Sequence, residues 1–204
     1  MAGMSLPLPL SHPLWYLPVL VVGACIGSFL NVVIHRLPRD LSVNEPKRSF
    51  CPRCGYAIPM HLNLPLVSWL VLRGKCANCG GRIAFRYFAV ELLTTVLFGV
   101  VWRLFGERAP AAAPFLFLLV ALLIPITFID AEHLVIPLSL TWAGSVAGLV
   151  AGWVWPRLPA MGQLVMPDRV GGLIQSGLGW VIGFFGLWAV VLLGKLAFGR
   201  RRLA

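Results

Sequence analysis

The chain has 204 residues, of which 59% are hydrophobic and only 12% charged, and its mean hydropathy is +0.86. This composition excludes an ordinary water-soluble globular domain and points to a polytopic membrane protein. The formal net charge of +10 is then expected to mark loops beside membrane spans, not a nucleic-acid surface, provided the basic residues lie between the apolar runs.

They do lie there. Five apolar runs occupy about 14–35, 88–105, 112–130, 138–155 and 174–197. The first, Trp15 to Ile34, is about 20 residues, enough to cross a bilayer. It lacks a basic n-region and a small-x-small cleavage site, so a retained span is expected instead of a cleaved signal peptide. Nine Lys and Arg run from Arg36 to Arg86, and four more (Lys195, Arg200, Arg201, Arg202) lie at the end of the fifth run or after it. The opposite side collects four, Arg103, Arg108, Arg157 and Arg169. Thirteen against four predicts the N-terminus outside, with the first loop and the chain end in the cytoplasm. The expected fold is an all-α membrane bundle of about five transmembrane helices with a small cytoplasmic zinc-binding loop. Its divisions are 1–35 for the first span, 36–87 for the loop and 88–204 for a four-span membrane domain.

Within the first span, Ser28 and Asn31 are polar groups that need partners in lipid, which interhelical hydrogen bonds would supply. Cys25 is expected to be a small buried hydrophobe. The loop that follows holds Cys51-Pro-Arg-Cys54 and Cys76-Ala-Asn-Cys79, separated by 21 residues. Each pair can present two thiolates from one tight knuckle, and four thiolates satisfy tetrahedral Zn²⁺. Gly55 and Gly80 follow the pairs, where the knuckle needs positive φ. A redox dithiol and free thiols are the alternatives, and a reducing cytoplasm disfavours disulfides. A closed four-thiolate set has no open coordination position, so the metal is expected to be structural and largely to fold so short a loop.

Glu91 falls in the first turns of the second run, where a helix N-terminus favours an acid. The third run ends in Ile124-Pro-Ile-Thr-Phe-Ile-Asp-Ala-Glu-His-Leu-Val-Ile-Pro137. Asp130 there is a carboxylate at the edge of lipid and at a helix C-terminus, where the macrodipole disfavours it. Capping does not account for it, so Asp130 is a candidate functional-site residue. Glu132 is two positions away and would point about 200° round a continuing helix. His35 and His133 are expected to be interfacial residues. In the fifth run, Gly179-x-x-x-Gly183 would allow close helix approach.

In order, Gly27-Ser-Phe-Leu-Asn-Val-Val-Ile-His-Arg-Leu-Pro38, the two cysteine pairs, Asn63-Leu-Pro-Leu-Val-Ser-Trp-Leu70, Arg86-Tyr-Phe-Ala-Val-Glu-Leu-Leu93, and Phe128-Ile-Asp130 with Ile136-Pro137 and Leu140-Thr141 resemble the type IV prepilin peptidases, or prepilin leader peptidase/N-methyltransferases. The resemblance runs from about residue 23 to 145. It implies an intramembrane aspartic endopeptidase of the bacterial inner membrane. Such an enzyme cuts the leader from type IV prepilins or type II secretion pseudopilins after a glycine at the cytoplasmic face. It also implies methylation of the new N-terminus from S-adenosylmethionine, and makes Asp130 the first of two catalytic aspartates.

The chain departs from the family pattern in one place that matters. The second aspartate belongs in a Gly-x-Gly-Asp motif, and none occurs in these 204 residues. The only acid after Glu132 is Asp168, which the charge distribution assigns to the outside. Phe88 and Leu138 are smaller departures that remove no chemistry. The expectation is a member of the family cut short before its second aspartate. The alternatives are a non-catalytic zinc-loop scaffold that binds pilin precursors or secretion partners, and a chain that keeps only methyl transfer.

Overall fold

The computed structural model describes residues 12–46, 48–106, 109–154 and 169–198. Lys47, Arg108, Arg157, Asp168 and Arg200 to Arg202, all used in the charge reading, lie outside them. The helices are α1 (Tyr16–Arg36), a short α2 inside the cysteine loop (Val67–Val71), α3 (Phe85–Val101), α4 (Ala113–His133), α5 (Leu138–Val154) and α6 (Arg169–Phe198). Among the described residues there is no β-strand, only two isolated antiparallel bridges in the loop, Phe50 with Ala57 and Lys75 with Arg82.

Each apolar run is a helix. Among the described residues three segments, Pro13–Arg39, Phe85–Gly106 and Ala113–His133, are long and apolar enough to cross a membrane. The second of these closes with a π-helical turn, Trp102–Gly106. α5 is apolar with 17 residues, about 26 Å at 1.5 Å per residue, and α6 covers the fifth run in 30 residues. The helices are apolar on every side: Leu17, Val21 and Val22 on α1 and Leu118, Leu119 and Leu123 on α4 are all exposed. Outward faces of that kind belong in hydrocarbon.

The chain forms two compact units, residues 1–143 and 144–204. In the first, α1, α3 and α4 pack on one another around Leu30, Ile34, Val90, Ile124 and Ile129, with Ile26, Val120 and Phe128 against them. The α1–α3 seam is a line of residues four apart. A Cβ on Gly23 would lie 3.0 Å from the Thr95 Cα, and one on Gly27 would lie 2.7 Å from the Glu91 Cα. One turn further, the buried Asn31 donates its side-chain amide to the Tyr87 carbonyl at 3.0 Å. On α4, Pro125 is buried inside the helix and, having no N–H, cannot donate to the preceding turn.

In the second unit, α5 and α6 also meet through small residues. A Cβ on Gly152 would lie 2.6 Å from the Gly172 carbonyl oxygen, and the Ser176 hydroxyl donates to the Gly148 carbonyl at 3.2 Å. The expected close approach at Gly179 and Gly183 is not where the helices touch. Among the described residues, a Cβ at either position meets nothing within 4 Å.

These contacts make two glycines unequal. Gly27→Ala forces backbone atoms apart and should destabilise the chain by about 1–3 kcal/mol, whereas Gly179→Ala has open space. Thermal unfolding in detergent should show a clear drop in midpoint for the first variant and none for the second.

Candidate functional site

The two cysteine pairs fold as matching knuckles. In the first, the Cys51 amide donates to the Tyr56 carbonyl and the Gly55 amide to the Cys51 carbonyl, both at 2.9 Å. In the second, the Cys76 amide donates to the Gly81 carbonyl at 2.8 Å and the Gly80 amide to the Cys76 carbonyl at 2.9 Å. Gly55 and Gly80 hold φ of +70° and +65°, a conformation that side chains disfavour. Each knuckle is closed by one of the two bridges, Phe50–Ala57 and Lys75–Arg82.

The result is convergence. The Sγ atoms of Cys51, Cys54, Cys76 and Cys79 all lie within 4.8 Å of one another, and those of Cys51 and Cys79 are 3.9 Å apart. Four sulfurs at about 2.3 Å from a tetrahedral ion would stand about 3.8 Å apart, so the donor set fits a divalent metal. The Tyr56 amide, helped by the Asn78 side chain, lowers the Cys54 thiol to about 7. The Cys79 and Asn78 amides lower that of Cys76. The Gly81 amide favours the Cys79 thiolate too, but hydrogen bonds to Cys54, Cys76 and Cys51 outweigh it and push that thiol up to about 11. The four thiols thus divide their negative charge unevenly, and a bound cation would offset the repulsion between them.

The loop between the knuckles is tied to the bundle. α3 begins at Phe85, three residues earlier than the apolar run, so Glu91 is its seventh residue. It is too far along to be held by the helix N-terminus, which acts within the first turn. Its carboxylate instead accepts the Leu66 backbone N–H at 2.7 Å and a hydrogen bond from Ser28 on α1, and Glu91 is buried. Leu66 holds φ of +63°, a strained setting for a branched residue. One side chain therefore joins α1, α3 and the cysteine loop.

Asp130 stands in the last turn of α4, which ends at His133 with Leu134 left-handed (φ 53°) and its amide bonded to the Asp130 carbonyl at 2.8 Å. Ile129 is fully buried, and Asp130, about 100° further round, is exposed. Glu132 does not stand beside it. Both Glu132 oxygens accept from Arg86 Nη1 at 2.5 Å, which joins the start of α3 to the end of α4. Both side chains are partly exposed, so the pair is worth about 0–1 kcal/mol; its importance is orientation. The Asn31–Tyr87 bond brings the end of α1 to the same place. Asp130, Arg86, Glu132 and the base of the cysteine loop thus share one end of the bundle. The Arg86–Glu132 pair and the Glu91–Leu66 tie join residues from separate sequence motifs, and no spacing rule links them.

The buried tie can be tested by charge and shape. Glu91→Leu leaves the Leu66 N–H without an acceptor and should cost about 1–3 kcal/mol, with proteolysis of the loop accelerated. Glu91→Gln keeps an acceptor oxygen and should retain most of the stability, as read by thermal unfolding and limited proteolysis.

Residues 21–105 match the family described as Bacterial Peptidase A24 N-terminal domain. The chain is 40% identical to a prepilin leader peptidase/N-methyltransferase of Myxococcus xanthus over 94% of its own length, and spans 52% of that relative. It is 36% identical to the protein of the same name from Pseudomonas aeruginosa, covering 93% of this chain and 68% of that one. For the Neisseria gonorrhoeae protein of that name the identity is 33%, over 98% of this chain and 71% of the relative. No solved structure matches the chain. The chain thus spans about half the length of one of these relatives and about two-thirds of the other two. On the strength of that similarity, the chain belongs to the prepilin leader peptidase/N-methyltransferase family.

Proposed function

We propose that this chain carries the first catalytic aspartate and the metal-stabilised loop of an intramembrane aspartic peptidase that removes the leader of type IV prepilins or pseudopilins. One observation carries the reading. Asp130 is an exposed carboxylate held at a fixed place by the buried Ile129 beside it, at the bundle end from which the cysteine loop emerges. In such a peptidase two carboxyls share a proton. The ionised one takes a proton from water as the oxygen attacks the scissile carbonyl, and the protonated one gives its proton to the departing amine as the C–N bond breaks. Asp130 supplies one carboxyl. With Glu132 committed to Arg86, the second is not drawn from the same turn.

The loop and Asp130 are assigned to the cytoplasmic face of the inner membrane, a reading supported by the thirteen-to-four distribution of Lys and Arg and the positive-inside rule. Cleavage after glycine and methylation of the new N-terminus from S-adenosylmethionine belong to the same proposal, and no residue is assigned to hold that donor. Zn²⁺ is the proposed ion for Cys51, Cys54, Cys76 and Cys79. Its role is structural, since four protein thiolates leave no coordination position open.

The assignment of Asp130 is tested in a hybrid, in which these 204 residues replace the matching part of the Myxococcus xanthus relative. The hybrid should cut a model prepilin, as seen by mass, and Asp130→Asn should slow it by about 10²–10⁴-fold. Unchanged cleavage in that variant would remove Asp130 from the chemistry. The 204-residue chain alone, without a Gly-x-Gly-Asp motif, should leave the leader attached. A methyl group gained from S-adenosylmethionine by pre-cleaved substrate would show that transfer is independent of the dyad.

The metal is tested separately. Elemental analysis of the purified chain should give about one zinc per chain. Cys51→Ser or Cys76→Ser should drop that ratio sharply and open residues 36–87 to protease while the helices persist. A full metal complement in both variants would dissolve the four-thiolate assignment.

A further inference from the structure

The segment between the two cysteine knuckles has the properties of a membrane-seated element, although it lies in a loop. Its depth is set by the Glu91–Leu66 bond. Glu91 is six residues beyond the start of α3, about 9 Å along the helix axis. A glutamate side chain leans back toward its helix N-terminus, so Leu66 stands level with the first two turns of a membrane-crossing helix and not above it. The adjoining Trp69 confirms the level, its ring 5.0 Å from that of Phe88 and 5.7 Å from that of Phe85.

Backbone can lie at that depth only if its polar groups are satisfied within the protein. Here they are. The Leu64 amide donates to the Ser68 hydroxyl at 2.9 Å, residue 65 is a proline with no N–H, and the Leu66 amide is taken by Glu91. The amides of Val67, Ser68, Leu70 and Leu72 donate to the carbonyls of Pro65, Leu64, Leu66 and Ser68. The turn out of the segment is closed in the same way, from Gly74 to the Trp69 carbonyl and from Lys75 to that of Leu72.

The side chains complete the pattern. Leu64, Val67, Leu70 and Val71 are all more than half exposed, Val71 by 71% and Leu70 by 57%, and Phe85 at the head of α3 by 63%. A water-facing loop would not present so many apolar side chains together. The face continues the apolar surface of α3, and Arg73, Lys75 and Arg82 follow it in the chain, in place to meet anionic headgroups. Continuity with a membrane span and this charge both favour lipid over a protein partner.

We propose that Leu64 to Val71 is a re-entrant interfacial element, seated in the leaflet beside the N-terminal turns of α3, which fixes the metal knuckles against the membrane surface. The proposal does not depend on the peptidase reading. It is tested with the whole chain reconstituted in vesicles of phosphatidylethanolamine and phosphatidylglycerol, carrying one environment-sensitive fluorescent amino acid at position 71. A second preparation carries it at position 44, in the loop after α1. Lipids with a nitroxide near the headgroup should extinguish most of the emission from position 71, and aqueous iodide should leave it nearly intact; position 44 should respond to iodide. Quenching of position 71 by iodide and not by lipid would overturn the proposal, because the face would then be in water. Shielding from both quenchers would overturn it in favour of a protein surface covering the patch.

Discussion

The close approach of α1 and α3 is the contact on which the rest of this protein depends. Without a hydrophobic drive between helices in lipid, association rests on packing and on hydrogen bonds. Gly23 and Gly27 supply the first by bringing backbones to a distance no larger residue allows. Ser28 and Asn31 supply the second, through Glu91 and the Tyr87 carbonyl. All four sit on one helix within nine residues, and they set both where α3 lies and how far along it α1 reaches.

From that seam the site is built outward. Because α3 is held in register, Glu91 can reach the Leu66 amide and Arg86 can reach Glu132. The first contact draws the cysteine loop against the bundle; the second joins the end of α4, and with it Asp130, to the start of α3. Asp130 is therefore not simply a carboxylate at the end of a span. Its turn is pinned on one side by the buried Ile129 and on the other by a guanidinium, the kind of support that fixes a reacting group relative to its surroundings. The cysteine cluster has a similar logic at smaller scale. Two short knuckles with their own amide bonds set the thiols apart by distances a single ion can span.

Much of this was legible in the chain. The apolar runs became helices because twenty or so residues without charge have no other stable form in lipid, and their ends moved by only a few residues. The paired cysteines converged because CxxC spacing with a following glycine is a local device that needs little from the rest of the fold. Other features were misjudged for a physical reason. Four Gly-x-x-x-Gly patterns exist, at Gly23 and Gly27, Gly144 and Gly148, Gly148 and Gly152, and Gly179 and Gly183. The last lies in a glycine-rich run, but among the described residues it is Gly23, Gly27 and Gly152 that have a neighbouring backbone against them, and Gly179 and Gly183 meet nothing. The position of Glu91 near the start of an apolar run suggests a helix-terminal acid, whereas its partners are a backbone amide 25 positions earlier and a serine on another helix.

The sequence by itself determined the membrane setting, the helical spans, the four-thiol cluster and the family. These follow from composition and from contacts between residues near one another in the chain. Tertiary structure alone decided which glycines face a neighbour, that Glu132 belongs to Arg86, and that the loop carrying Leu66 lies down beside α3. Each of those is a pairing between residues far apart in sequence, and a polar group in lipid takes whichever partner the packing brings within hydrogen-bond reach.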